Sequence, residues 1–461
     1  MPKKYHIHVK PTSLELDLIS KFRLERGDEC INCGRCIKVC VYEAHKRRED
    51  DPRKMADPIS ALCKNCFRCI QECPRGAMTK SIMPAFKTLG DEYWTSEMIL
   101  SIWKQAEVGK VPVSGAGYRG KFTGPGFDSM WTDMSEIVRP TRDGIHGREY
   151  ISTHVDLGRK LDRLIFSEDG ELLSEIPDTV DLPIPMIFDA YEYKVADIVK
   201  IAMAGAAEAI DTLAVFPASE ITAEIEKYVK HFIPLLSYNE IEKHADLLDK
   251  VKVLELYYTG ELLADFETIR KNIKQITNAL VAVRIPASAG VENTVLALTQ
   301  KGAEIVHIIT DHHGNEQGEQ ARFVKEVLED VHATLIKEAV RDALTIIASG
   351  GIAMAEHVPK SIISGADVVS LDIPLILALG YELHGVKEEL LIPPDEIDRI
   401  PQEKGIQRIV NLLGAWHSQM LEVMGAMGIR EVRRLRGETG RAIYFETLEK
   451  ETFATLFGNN T

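Results

Sequence analysis

All eight cysteines of this 461-residue chain fall between Cys30 and Cys73. They repeat one spacing, C-x2-C-x2-C-x3-C. The first run is Cys30, Cys33, Cys36 and Cys40, in C-I-N-C-G-R-C-I-K-V-C. The second is Cys63, Cys66, Cys69 and Cys73, in C-K-N-C-F-R-C-I-Q-E-C-P. A disulfide framework does not fit this distribution. Disulfide-stapled secreted proteins are short and cysteine-dense throughout, whereas some 390 residues follow Cys73 here without a cysteine. The opening M-P-K-K-Y-H-I-H-V-K has no apolar signal region, and no run of about 18 apolar residues occurs. The expectation is a cytoplasmic chain whose thiols stay reduced. Zinc sites set a C-x2-C pair against a second pair well downstream, which is a different arrangement.

The doubled pattern is that of bacterial ferredoxins with two [4Fe-4S] clusters, in which the fourth cysteine of each run ligates the other cluster. Three thiolates on a tight loop grip three irons of a cube, and the fourth arrives from elsewhere. On that pattern Cys30, Cys33, Cys36 and Cys73 hold cluster one, and Cys63, Cys66, Cys69 and Cys40 hold cluster two. Val41 stands where a proline often follows the fourth cysteine. Residues 1–85 therefore resemble a two-cluster ferredoxin module. Such modules carry single electrons, so any chemistry belongs to, or is coupled to, the rest of the chain.

A net charge of −15 and a pI near 5.5 argue against nucleic acid or a membrane surface as partners. Residues 86–181 read as a linking segment. It carries the glycine-rich S-G-A-G-Y-R-G-K-F-T-G-P-G-F (114–127) and Arg139, Arg142 and Arg148, which suit either turns or the approach of an anion. From 182 onward, Val/Ile-rich runs alternate with helical-period segments. The runs are 185–190, 212–217, 232–237, 251–258, 279–285, 304–311, 344–351 and 367–373. Intervening helices are expected at 194–210, 260–276, 290–301 and 317–330. Eight near-continuous apolar strands fit an α/β fold, a (β/α)8 TIM-type barrel over 182–405, with a helical cap and tail over 406–461; a doubly wound open sheet is the rival. Active sites of such barrels lie at the strand C-termini. Those ends carry Asp189, Tyr191 and Glu192, then Arg284, Ser288 and Gly290, then T-D-H-H-G (310–314), A-S-G-G-I (348–352) and S-L-D-I (370–373). Ser349, Gly350 and Gly351 suit an anion, because glycine lets backbone N–H groups close on it; an ordinary tight turn is the alternative.

The stretch I-I-A-S-G-G-I-A-M-A-E-H-V-P-K-S-I-I-S-G-A-D-V-V-S-L-D-I-P-L-I-L-A-L-G-Y (346–381) resembles the end of the FMN-binding barrel of glutamate synthases. R-I-V-N-L-L-G-A-W-H-S-Q-M-L-E-V-M-G-A-M-G-I-R-E-V-R-R-L-R-G (408–437) is similar to the helices closing that domain. R-P-T-R-D-G-I-H-G-R-E-Y-I (139–151) has the look of archaeal-type members, which often carry a fused ferredoxin. The resemblance covers about residues 110–445. It implies glutamate formation from 2-oxoglutarate and ammonia, with FMN reducing 2-iminoglutarate and iron–sulfur centres feeding the flavin. It also implies a redox partner, and a separate amidotransferase subunit as the source of ammonia. Ser349, Gly350 and Gly351 would hold the FMN phosphate. Arg284 would stand in the place of the strand-five lysine and stabilise reduced flavin.

Four departures bear on that expectation. Residues 381–405 contain no cysteine, so the family's [3Fe-4S] cluster is not expected. Asp372 and Ile373 replace a Gly-Thr pair that usually meets the FMN phosphate, and a carboxylate beside a phosphate is repulsive. T-D-H-H-G stands for G-H-D-G-G. Arginine at 284 keeps the charge without a tunable ammonium. Two readings follow: an FMN-dependent oxidoreductase, or a barrel that has lost FMN and serves as scaffold for an electron-transfer subunit. Elsewhere, His312 and His313 read as a polar loop rather than metal ligands. His6 and His8 read as an exposed edge strand of the ferredoxin module, and the basic run 430–437 as a solvated face. Trp103 is a candidate to rest against a cluster or partner.

Overall fold

The computed structural model describes residues 5–12, 19–63, 65–111, 124, 126–132, 151–161, 163–174, 176–191, 193–385, 390–395 and 397–453. Most of the glycine-rich stretch, together with Arg139, Arg142, Arg148 and Glu192, lies outside them. The chain forms two compact units. One comprises Met1–Ser13, Ser101–Leu379 and Asp395–Thr461; the other comprises Leu14–Leu100 and Gly380–Pro394.

The larger unit is built on a closed barrel of eight parallel strands. In order they are Met186–Phe188, Ala214–Pro217, Phe232–Leu236, Val253–Tyr257, Leu280–Pro286, Ile305–Ile309, Thr345–Ser349 and Val368–Leu371. Every one of the eight apolar runs is a strand. Strand eight closes on strand one through Val369↔Met186 and Leu371↔Phe188. Both faces of the sheet are covered, which is why the strands read as continuous Val/Ile/Leu, almost all fully buried. Each such side chain contributes about 1.5–3 kcal/mol on burial. Pro234 sits inside strand three and has no N–H to donate, and pairing with strand four begins only at Leu235↔Glu255.

Helices Asp197–Ala209, Gly260–Ile276 and Val291–Gln300 fall where the helical period places them. The helix expected from 317 starts instead at Val324. The preceding loop is held by Arg322, whose Nε and Nη2 donate to the Glu316 carboxylate at 2.9 and 2.8 Å. The closing region is one helix, Gln402–Ala426. It lies close against Asp197–Ala209, because a Cβ on Gly205 would come within 2.4 Å of Ile406.

Residues 5–12 do not form the expected edge strand, and they belong to the barrel unit. Val9 fills the space beside Gly414, and Asn411 bonds both the N–H and the C=O of Lys10 at 2.9 and 2.8 Å. Trp103 is buried in this unit as well, its carbonyl accepting from Arg408. The basic run keeps Arg430 and Arg434 exposed, as expected, while two of its arginines are paired with distant carboxylates. Arg436 meets Asp367 at 2.9 Å and also Asp342, Arg433 meets Asp156 at 2.9 Å, and Val432 and Leu435 between them are buried.

In the smaller unit, strands Phe22–Arg26 and Met78–Ile82 pair antiparallel with Leu24 opposite Lys80. Between them run the two cysteine loops and the short helices Arg35–Val39 and Arg68–Gln71. The cysteine-free segment after strand eight adds a small ladder, Glu382–Leu383 with Leu391–Ile392. His384 ties it to the rest of this unit through its Nδ1, 2.8 Å from the carbonyl of Thr88.

Candidate functional site

The two cysteine loops are copies of one backbone shape, offset by the separation of Cys30 and Cys63. Asn32 and Asn65 hold left-handed φ values of 56° and 63°. Gly34 and Phe67, the next equivalent pair, stand at 73° and 59°. Ile37 and Lys38 donate to the carbonyl of Gly34 as Ile70 and Gln71 donate to that of Phe67. Cys40 and Cys73 end the two helical turns with matching bonds to Ile37 and Ile70 at 3.3 Å. Asparagine and glycine enter the left-handed region at little cost, and phenylalanine does so under strain. Turns of this kind let successive backbone N–H groups face one anion. In each loop the second cysteine, Cys33 or Cys66, is the exposed one.

One cavity is lined by Cys40 of the first run together with Cys63, Cys66 and Cys69 of the second. Leu24, Tyr42, Ala44, His45, Phe67 and Lys80 complete its wall. Burial pushes the Cys69 thiol up, and Cys63, Cys66 and Cys40 add to the push, as closely spaced acids do. In the other set, burial raises the Cys36 thiol and Cys30 adds to it, against Arg26. Burial also raises Cys73, but the backbone groups of Arg75, Ala77, Met78 and Gly76 outweigh it and bring the thiol below its usual range. Four soft thiols around one cavity, on loops of this shape, fit a cubic iron–sulfur cluster. Lys80 packs its ammonium over Phe22 at 3.7 Å and Phe67 at 4.5 Å beside these thiols. His45 is 2% exposed, and neither ring nitrogen has a hydrogen-bond partner. Burial, and then Arg26, lowers its pKa and keeps the ring neutral.

Charged groups gather inside the barrel toward its C-terminal end. Arg284 Nη1 donates to Asp189 Oδ1 at 2.7 Å and lies 3.7 Å from Glu255 Oε2. His307 Nδ1 is 2.6 Å from Glu255 Oε1 and 3.4 Å from Arg284 Nη1. Glu255 and His307 are almost wholly buried. Burial raises the Asp189 carboxyl, but Arg284, His307 and a bond from Ser349 more than offset this and hold it below the usual range. Burial depresses the Arg284 guanidinium, and Asp189 and Glu255 more than restore it, so it stays charged. Asp372, at the start of helix Ile373–Ala378, behaves oppositely. Burial and the neighbouring Asp189 push its carboxyl up to about 6.

Ser349, Gly350 and Gly351 end strand seven, but the space beside the glycines is filled by protein. A Cβ on Gly350 would lie 2.2 Å from Thr310 Oγ1 and 2.5 Å from the carbonyl of Asp311; one on Gly351 would lie 2.6 Å from Gly314 Cα. Both glycines have positive φ, 93° and 66°. The strand-six loop thus requires glycine there for packing. His357 braces the same turn, its Nδ1 accepting from Ala353 N–H at 3.1 Å. Measured against an FMN phosphate, this donor set is a poor match. Asp372 offers only a carboxyl, Arg284 is engaged by two carboxylates, and Asp189 and Glu255 add negative charge. The carboxyls here oppose a phosphate dianion, whereas the backbone N–H groups of Ser349, Gly350 and Gly351 are the donors that would hold one.

Glu255 and His307 escaped the sequence reading. Their signal was present: each is a lone polar residue in an otherwise apolar run, V-K-V-L-E-L-Y-Y and E-I-V-H-I-I-T-D. In a strand covered on both faces, such a residue points into the barrel and needs a partner there.

Residues 251–430 match the model of the conserved region in glutamate synthase. An archaeal-type glutamate synthase [NADPH] of Dehalococcoides mccartyi is 25% identical over 482 residues, 91% of this chain and 94% of its own. The archaeal glutamate synthase [NADPH] of Archaeoglobus fulgidus is 26% identical over 515 residues, 97% of each. A ferredoxin of Pyrobaculum islandicum is 35% identical over 54 residues, 12% of this chain and 48% of its own. Among solved structures, a mandelate oxidase variant with benzaldehyde shows 15% identity and a TM-score of 0.42, over 67% of this chain and 98% of its own. No helix among the described residues is long and apolar enough to cross a membrane. With the conserved region matched over strands four to eight and relatives aligned along nine tenths of its length, the chain is similar to archaeal-type glutamate synthases.

Proposed function

We propose that this protein is an iron–sulfur electron carrier of a glutamate synthase-like redox system. In this reading two [4Fe-4S] clusters are held by Cys30, Cys33, Cys36 and Cys73 and by Cys63, Cys66, Cys69 and Cys40. The observation that carries it is the cavity shared by Cys40 with Cys63, Cys66 and Cys69. Exposed Cys33 and Cys66 give a partner protein close approach to each cluster. The relatives are named for NADPH, so a pyridine-nucleotide-linked reductase is the partner class we favour. The barrel then acts as the scaffold that such a partner recognises.

The match over 251–430 favours a second reading, in which the barrel binds FMN and reduces 2-iminoglutarate with ammonia from a separate amidotransferase subunit. Asp372 and the clamp on Arg284 weigh against it. Anaerobic purification, followed by iron, sulfide and flavin counts per chain, separates the two. About eight irons and no flavin after incubation with FMN is the expected result. One tightly held FMN per chain would establish the second reading. Zinc, or fewer than about four irons, would overturn both.

A further inference from the structure

A buried side chain with no hydrogen-bond partner calls for an explanation, and His45 is such a residue. It is 2% exposed, and both Nδ1 and Nε2 lack partners. It also lines the cavity of Cys40, Cys63, Cys66 and Cys69. The other residues around that cavity are mainly apolar: Leu24, Tyr42, Ala44 and Phe67. The one cation among the described residues lining it, Lys80, is a donor and cannot accept from the imidazole. Sulfur is therefore the acceptor that the cavity's chemistry supplies, once a cluster brings thiolate and sulfide into it.

Resting on the cluster assignment proposed above, we infer that His45 donates an N–H···S hydrogen bond to the cluster of Cys40, Cys63, Cys66 and Cys69 and raises its reduction potential. The direction follows from charge. Reduction adds an electron to the cluster, and a donor aimed at its sulfurs stabilises the more negative state. The position equivalent to His45 in the second loop, reached by the same offset, is Met78, which cannot donate. The device is thus present in one half of the repeat only. His45 is a positioning and tuning residue, distinct from the ligands.

The test is EPR-monitored redox titration of the full chain, wild type against His45→Leu and His45→Gln. In His45→Leu one of the two cluster signals should shift to lower potential with the other unmoved; His45→Gln, which still donates, should shift less. Equal potentials in all three proteins at full iron loading would overturn the inference. If either variant fails to load, pulsed EPR of reduced wild-type protein carrying 15N-histidine decides. A histidine nitrogen coupled to one cluster supports the inference, and none coupled to either overturns it. Wild-type protein without about eight irons would instead sink the cluster assignment.

Discussion

Arg284 on strand five and Asp189 at the end of strand one meet across the barrel interior, Nη1 to Oδ1, at 2.7 Å. Glu255 and His307 close the group from strands four and six. The arginine expected to serve a flavin is thus held by carboxylates of its own barrel. Pairing keeps Asp189 ionised in a site whose burial would otherwise neutralise it. The same ionised Asp189 makes a second charge at Asp372 unfavourable.

Removing the guanidinium should therefore unfold the barrel more readily than removing a surface cation. Arg284→Met leaves Asp189 and Glu255 without their shared counter-charge, and the loss is about 3–5 kcal/mol. Arg284→Lys keeps the charge, though not the forked geometry, and should lose less. Urea unfolding at pH 7.5 measures both. Equal midpoints for Arg284→Met and the wild type would show that the pair contributes nothing to the fold.

Asp372 makes stability depend on pH with a definite sign. Its carboxyl rises from the unfolded value to about 6 in the folded state. Its contribution is complete below the unfolded pKa near 4 and is lost as pH rises through about 6. Asp372→Asn should therefore gain about 2 kcal/mol over the wild type at pH 7.5 and little at pH 4.5. Thermal melts across that range read the crossover; a gain that is flat with pH would mean that Asp372 does not titrate there.

Gly350→Ala should be among the most damaging small substitutions in the barrel. The new Cβ would face Thr310 Oγ1 at 2.2 Å and would sit at a φ of 93°. Positive φ and overpacking together cost at least about 3 kcal/mol. Gly170→Ala shares a positive φ, with open space around it, and isolates the conformational part. Comparing the two melting temperatures separates crowding from backbone strain.

Serine scanning of the cysteines tests which thiols share a cluster. Cys40→Ser should lose about four irons and the same EPR signal as Cys66→Ser, while Cys33→Ser and Cys73→Ser lose the other. Grouping of Cys40→Ser with Cys33→Ser would mean that each run holds its own cluster without crossing over.

The eight barrel strands were legible because burial on both faces demands uninterrupted Val, Ile and Leu, a pattern that few loops or surface helices imitate. The cysteine spacing was legible because it is a local property of two short loops. The edge strand expected at residues 5–10 failed for a physical reason. Alternating side chains describe any extended segment with one buried face, and Ile7 and Val9 bury theirs on the barrel unit's long helix, against Gly414. In the basic run at 430–437 the ion pairs of Arg433 and Arg436 were not legible, since their acidic partners Asp156, Asp342 and Asp367 come from distant parts of the chain.

By itself the sequence determined the count of eight strands and the thiols available for clusters, because each is written in local period or spacing; the two compact units, in which Met1–Ser13 joins the barrel unit and Gly380–Pro394 the smaller one, were not. Tertiary structure decided what the barrel can hold. Asp189, Glu255, Arg284, His307 and Asp372 are scattered over some 180 positions of the chain, and only closure of the sheet brings them into one low-dielectric space. There each charge is set by its neighbours: Asp189 is ionised because Arg284 is beside it, and Asp372 is raised because Asp189 is.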